Sequence, residues 1–314
     1  MRKSLGARWS QSSEIPLRSG TVGTSVPSLQ DDGLHLLTYQ HFRSAKSWTE
    51  LAGRIRRLCM AVPADANSVL CRILGRYKFY VDARDVGFGA HLQLDGAWET
   101  HATYFMMHAV QPEMVCYDVG ANHGYFTVLL ADLVGLGGKV RAFEPNPRLA
   151  ALARRNIWVN GFDSIASLDE RAVAETSKRR VVLTATFDEP KHGIIGDATG
   201  APLITSAELL QADVETLALD DLENERVDFI KIDVEGAEEL VWAGMQRLLD
   251  RNPHLMMLLE YNPRRCRDPG GFLDAIADRF PLRMLDFNAR LRPISKVDAL
   301  ASAHDVLLYL RADE

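Results

Sequence analysis

From about residue 111 onward the chain alternates short apolar runs with helical ones: "MVCYDV", a helical stretch from about Gly124 to Val134, "KVRAFE", and a second helical stretch from Pro147 to Val159. Such alternation builds β-α-β units, and so a parallel sheet, because parallel neighbours need a crossover long enough for a helix. The punctuation agrees. Gly135, Gly137 and Gly138 end the first helix, Asn146 and Pro147 supply an N-cap and a first-turn proline for the second, and Asn160-Gly161 stops it. A mixed strand region (164–187), "VDFIKID" (227–233), a helix from about Gly236 to Leu249, "HLMMLLEYN" (254–262) and a helix near 270–279 follow. "PLRMLDF" and "DVLLYLR" close the chain. The expected fold class is α/β, a doubly wound Rossmann-like sheet of about seven strands whose last two form an antiparallel edge pair.

Upstream, "WTELAGRIRRLCMAV" (48–62) and "NSVLCRILGRY" (67–77) carry apolar residues at helical spacing, while "KFYVDARD" and "HLQLDGAWE" read as short strands around Gly87 and Gly89. This predicts a helical and short-strand cap over 46–110, on the acceptor side of a domain spanning 111–314. Residues 1–45 are expected to be a flexible tail. Residues 1–33 are rich in Ser, Gly and Thr, with Arg2, Lys3 and Arg8 and no acid before Glu14, a bias that transit peptides share but that a loose basic tail also explains.

Charge and cysteine usage exclude several classes. Lys and Arg number 36 against 42 Asp and Glu, a net charge of -6, so no footprint for nucleic acid or an anionic membrane is expected. Cys59, Cys71, Cys116 and Cys266 form no CxxC pair, which argues against zinc and a disulfide framework and fits a cytoplasmic protein. No apolar run approaches the roughly 20 residues that span a bilayer.

The turn after the first β-α strand, in "VCYDVGANHGYF" (115–126), lies where open α/β sheets bind ligands. A dinucleotide fingerprint needs glycines at 120, 122 and 125, where the sequence has Gly120, Asn122 and Tyr125. Side chains at the last two positions would crowd a diphosphate. Glu144, 24 residues beyond Gly120, is nonetheless placed to accept both hydroxyls of an unphosphorylated ribose. A ribose without a diphosphate fits S-adenosyl-L-methionine. Asp118 and the backbone around Gly120 to Asn122 would hold its amino-acid end.

"DVGANHGYF", "AFEPNP" and "VETLALDDLENERVDFIKIDVEGAEELVWAG" (214–244), with "GAWETHAT" (96–103) upstream, resemble the FkbM-type S-adenosylmethionine-dependent methyltransferases over roughly 95–262. The resemblance implies a class I methyltransferase sheet. It implies a cofactor turn of Asp118, Gly120, Ala121, Asn122 and Gly124, a ribose contact at Glu144 followed by Pro145, Glu99 at the methionine end, and adenine near Ala172. Many relatives methylate hydroxyls of sugars or natural products, so a small-molecule O-methyltransferase is expected. A protein or RNA acceptor and a noncatalytic nucleoside-binding scaffold are the alternatives.

Asp233, ending the strand of "KIDVEGAEE", would orient the cofactor's amino group or an acceptor hydroxyl. The candidate bases are His123, Asp233, His192 and His101. Asp233 with Glu260 or Asn262 offers hard oxygen ligands, yet magnesium is not favoured and no metal site is assigned. Glu238 is as readily a helix cap as a site residue. "DEPKHGIIGDATGAPL" (188–203) suits an acceptor-binding lid.

Overall fold

In the computed structural model the described residues are 35–45, 47–186, 194–196, 209–222 and 226–312. The expected tail over 1–34, His192 and all of the 188–203 loop except 194–196 therefore lie outside them. Packing begins at Leu37 rather than after residue 45, because Leu37, Phe42 and Ala45 are buried.

The N-terminal part comprises α1 (Tyr39–Ser44), α2 (Trp48–Leu58), the antiparallel strands β1 (Ala61–Pro63), β2 (Ser68–Ile73) and β3 (Tyr77–Asp82), then α3 (Phe88–Asp95) and α4 (Thr100–Ala109). Two expectations are corrected here. "NSVLCRILGRY" is not a helix but half of a hairpin, turned by Leu74 and Gly75, both at positive φ (52° and 63°). Two left-handed residues in succession give the tight turn whose twist suits a hairpin. "HLQLDGAWE" is not a strand: Phe88 and Leu92, one helical turn apart, are buried, and left-handed Gly96 closes the helix with its N–H on the Leu92 carbonyl. Both are short apolar runs, which periodicity alone does not sort into helix or strand.

The main domain continues with β4 (Val115–Val119), α5 (Tyr125–Val134), β5 (Lys139–Phe143), α6 (Pro147–Val159), β6 (Ala166–Asp169), β7 (Ala172–Val173), β8 (Arg180–Thr186), β9 (Ile194–Gly196) and β10 (Leu209–Leu217). Then come β11 (Phe229–Ile232), α7 (Glu238–Ala243), α8 (Gln246–Arg251), β12 (Met256–Tyr261), α9 (Pro269–Ala277), β13 (Arg283–Leu285), β14 (Leu291–Pro293), α10 (Lys296–Leu300) and β15 (Val306–Leu310). The main sheet has the order β14-β13-β15-β12-β11-β4-β5-β6, parallel from β6 to β12 and antiparallel beyond. This is the doubly wound class I methyltransferase sheet, with one more strand, β14, than expected. The helix expected over 236–249 is divided into α7 and α8. β7, β10, β8 and β9 form a second, four-stranded sheet.

Parallel strands covered by helices on both faces must be apolar at every position. Accordingly Cys116, Phe229 and Leu258 pack on one face with the N-terminal elements and α5, while Tyr117, Ile230 and Leu259 pack on the other with Trp242 and Phe272. The N-terminal sheet joins the first face through a buried side-chain amide. Asn156 of α6 accepts the Tyr80 N–H (2.6 Å) and donates to the carbonyls of Tyr80 (2.9 Å) and His123 (2.8 Å).

Asn156→Ala strands these groups, and each buried group left unpaired costs about 1–3 kcal/mol. The variant is expected to lose at least ~2 kcal/mol of unfolding free energy, read as a lower urea midpoint with an unchanged slope. A midpoint equal to that of the parent would show that the amide does not carry this contact.

Candidate functional site

The strand order reverses between β4 and β11, where a doubly wound sheet leaves a crevice outside its carboxyl ends. A cavity of about 450 Å³ opens there, within the range of small-molecule sites. The ends of β4, β5, β11 and β12 contribute Val119, Gly120, Glu144, Asp233 and Glu260, and the N-terminal elements contribute Trp98, Glu99 and His101.

The turn after β4 is fixed by one close approach. Gly120 has φ +86°, and a Cβ there would lie 1.7 Å from the Asp233 carbonyl oxygen, so no other residue fits. The N–H groups of Gly120 and Ala121 both donate to the Phe143 carbonyl (3.0 and 2.9 Å). Asn122, also left-handed (φ 54°), donates its N–H to Glu144 Oε2 (2.7 Å), and the Asn146 N–H donates to Oε1 (2.9 Å). The Glu144 carboxylate thus joins the two strand ends, and each oxygen retains a lone pair for a ligand hydroxyl. Burial pushes its pKa up to about 7 against the pull of the two N–H groups, with the Asp118 and Asp233 charges adding to the rise.

His123 is not a base beside this turn. Its ring is fully buried, stacked on Phe88 at 4.9 Å between centroids, and absent from the cavity wall. Nε2 accepts the Asp82 N–H (3.2 Å), which leaves the proton on Nδ1 for Asn122 Oδ1 (2.5 Å). Burial lowers its pKa to about 3, so the ring is neutral and holds Asn122 in place.

Asp118 also departs from expectation. It is fully buried behind the turn, accepts the Thr127 hydroxyl (2.6 Å) and does not line the cavity. Its register partner is Lys231, a buried lysine whose Nζ lies 4.6 Å from the Phe126 ring and donates to Asp233 Oδ2 (2.8 Å). Neighbouring Asp233, Glu99 and Asp118 hold Lys231 charged despite burial, which alone would lower its pKa. Ala121 and Gly124 are likewise behind the wall, where they shape the turn and the start of α5.

Glu99 reaches the cavity from the N-cap of α4 in a left-handed conformation (φ 36°, ψ 63°) that is costly for a glutamate. The Tyr125 hydroxyl holds this corner, accepting the Trp98 N–H (3.2 Å) and lying 3.1 Å from Thr103 Oγ1. Carboxylate oxygens of Glu99, Asp233 and Glu260 lie within 4.8 Å of one another. Burial first, then the charges of Asp233, Glu99 and Asp305, raises the Glu260 pKa. Arg265 pairs with Glu235, Glu260 and Asp305 across the mouth. Glu238 lies outside the cavity wall and caps the loop, accepting the N–H groups of Val234 and Gly236.

Of the expected site residues, Glu99, Gly120, Asn122, Glu144, Pro145, Ala172 and Asp233 line the cavity, as does His101. Ala172, Val173 and Leu183 make an apolar end suited to a nucleobase. Lys231, Arg265, Phe287, His304 and Asp305 were not singled out from the sequence. Lys231 had a signal, a lysine inside the apolar strand "FIKI". The others sit in loops or at strand edges, where no periodicity marks them.

The family model described as methyltransferase FkbM domain matches residues 118–310. A protein-L-isoaspartate O-methyltransferase of Aeropyrum pernix is 43% identical over 58 residues, a match covering 18% of this chain and 22% of that protein. Among solved structures, a putative rRNA methylase of Clostridium thermocellum is 11% identical with a TM-score of 0.42, covering 68% of this chain and 93% of that one. An FkbM methyltransferase of Methylobacillus flagellatus is 15% identical, TM-score 0.38, covering 70% and 52%. An O-methyltransferase of Bacillus cereus, in complex with S-adenosylhomocysteine (SAH), is 16% identical, TM-score 0.40, covering 69% and 82%. At such scores these likenesses carry no argument about the reaction or its acceptor.

Gly120→Ala is expected to abolish calorimetric binding of S-adenosylhomocysteine, and retention of affinity within threefold would contradict the assigned turn. Ribose hydroxyls donate best to ionised Glu144, whose pKa is raised to about 7. Affinity should therefore rise as pH increases from 6 to 8, and Glu144→Gln should both weaken binding and flatten that dependence.

Proposed function

The chain belongs to the methyltransferase FkbM domain family; from that premise we propose that it is an S-adenosylmethionine-dependent methyltransferase whose acceptor is a hydroxyl of a sugar or natural-product small molecule. The observation that carries this reading is the convergence on one cavity of the Gly120–Asn122 turn, Glu144, the Glu99–Asp233–Glu260 cluster and a neutral histidine. In this reading Glu144 takes the ribose hydroxyls and Ala172, Val173 and Leu183 enclose the adenine, with Pro145 beside them. Glu99 and Asp233 take the cofactor's amino group.

The acceptor oxygen attacks the sulfonium methyl in line. A C–O bond forms as the S–CH₃ bond breaks, the bonding pair returns to sulfur, and S-adenosylhomocysteine leaves. Alignment of the two reactants supplies about 7–11 kcal/mol of the barrier reduction. His101 takes the hydroxyl proton. Burial lowers its pKa below the ordinary histidine value, so it is neutral and able to accept at pH 7. Asp233 is less suited, since the Lys231 ammonium already occupies one of its oxygens.

The reading does without magnesium. A hard cation would sit among Glu99, Asp233 and Glu260, but Lys231 and Arg265 already supply positive charge to two of the three. An RNA acceptor is disfavoured by the acid-rich wall, which repels a phosphate backbone. Among the described residues no helix is long and apolar enough to cross a membrane, and Cys59, Cys71, Cys116 and Cys266 are free thiols.

The test is release of S-adenosylhomocysteine over a panel of hydroxylated acceptors. His101→Ala should lower kcat by about 10²–10⁴-fold, the usual contribution of a general base, with cofactor affinity within twofold of the parent. Addition of a chelator should leave the rate unchanged. Turnover only with RNA or protein acceptors would sink the small-molecule reading, and a rate abolished by chelation would overturn the metal-free one.

A further inference from the structure

We propose that the mouth of the cavity selects a polyhydroxylated ring that is uncharged or bears an amine, with Phe287 and His101 as the wall for its apolar face, and rejects acceptors carrying phosphate or carboxylate. This rests on the methyl-transfer reading above and narrows its acceptor.

Phe287 is 85% exposed, and an exposed aromatic residue alone means little. This one lines a cavity and stands at the tip of the β13–β14 hairpin, whose turn is closed by its neighbours. Asp286 Oδ1 accepts the N–H groups of Asn288 and Arg290 (2.9 Å each), the Ala289 N–H donates to the Asp286 carbonyl (2.8 Å), and Arg292 pairs with Oδ2. The turn places Ala289, a non-glycine residue, in the left-handed region (φ 57°) to hold this shape. The Phe287 ring stands edge-on to His101, 5.2 Å between centroids at 66°. The C–H face of a saturated ring would cover an aromatic surface that the described residues leave open.

The charge of the lining decides what the rest of the acceptor carries. Among the described residues, Glu99, Glu144, Asp233, Glu235, Glu260 and Asp305 face the cavity against a single arginine, Arg265. That guanidinium is already shared among Glu235, Glu260 and Asp305. After Glu144, Glu99 and Asp233 are assigned to the cofactor, the remaining wall still holds more acid than base. Acceptor-only carboxylates match hydroxyl and ammonium donors, whereas an anion would meet like charge in a partly dry site.

Binding to the S-adenosylhomocysteine-loaded protein, followed by saturation-transfer NMR, tests this with four probes: methyl glucoside, its 2-amino analogue, methyl glucuronide and glucose 6-phosphate. The amino and neutral probes should bind, the amino one more tightly, and both anionic probes at least tenfold more weakly. Phe287→Ala should weaken the two binding probes about tenfold while leaving S-adenosylhomocysteine affinity within twofold. Anionic probes that bind as well as the others, indifference to Phe287→Ala, or no probe binding at millimolar concentration would overturn the inference. Failure of S-adenosylhomocysteine itself to bind would instead overturn the methyl-transfer reading.

Discussion

The site depends on one backbone approach, the passage of Gly120 over the Asp233 carbonyl at the switch between β4 and β11. With no side chain at 120 the two strand ends close together, and the turn presents its N–H groups to the end of β5. A methyl group would push the turn away from Asp233 and separate Asn122 from Glu144. The cavity floor, the placement of Glu144 and the acidic cluster are therefore consequences of a single contact between two parallel neighbours.

Around that contact the charges are arranged in depth. Asp118 and Lys231 lie behind the wall as register partners, and Lys231 reaches forward to Asp233, so a buried positive charge stands beneath the acids that face the ligand. Removing one member of such a buried set leaves the others uncompensated, which is costlier than the net worth of the pair. His123 belongs to the same supporting layer. It links Asp82 of β3 to Asn122 of the turn, and through it the N-terminal sheet bears on the cavity. The N-terminal elements also supply Glu99, Trp98 and His101 directly, so they are a wall of the site as well as a cover for one face of the sheet.

Much of this was legible in the residues. Helix α6 runs from Pro147 to Val159 as its cap and terminator require, and Asn146 accepts the Arg148 N–H as an N-cap should. The missing glycines at 122 and 125 have visible uses: the Asn122 side chain accepts the His123 N–H and bonds its ring, and Tyr125 fixes the corner that carries Glu99. His123 stays open between base and bystander in the residues alone, because a histidine beside such a turn can point either way along it. Its neighbours Asp82 and Phe88 come from a segment some forty residues distant, and no local pattern reveals that they bury it.

The sequence by itself determined the alternation of strands and helices from β4 to α6, the glycine turn and its acid at the next strand end, because these follow from local periodicity, turn chemistry and fixed spacing. Only the tertiary structure decided which polar groups face the ligand and which support them. That division depends on strands and loops far apart in sequence meeting at one edge: Glu99, Asp233 and Glu260 converge from three separate segments, and Arg265 and Phe287 join them from loops with no repeating pattern. Burial then sets their charge states, since the same carboxylate or imidazole titrates differently inside the wall and on it.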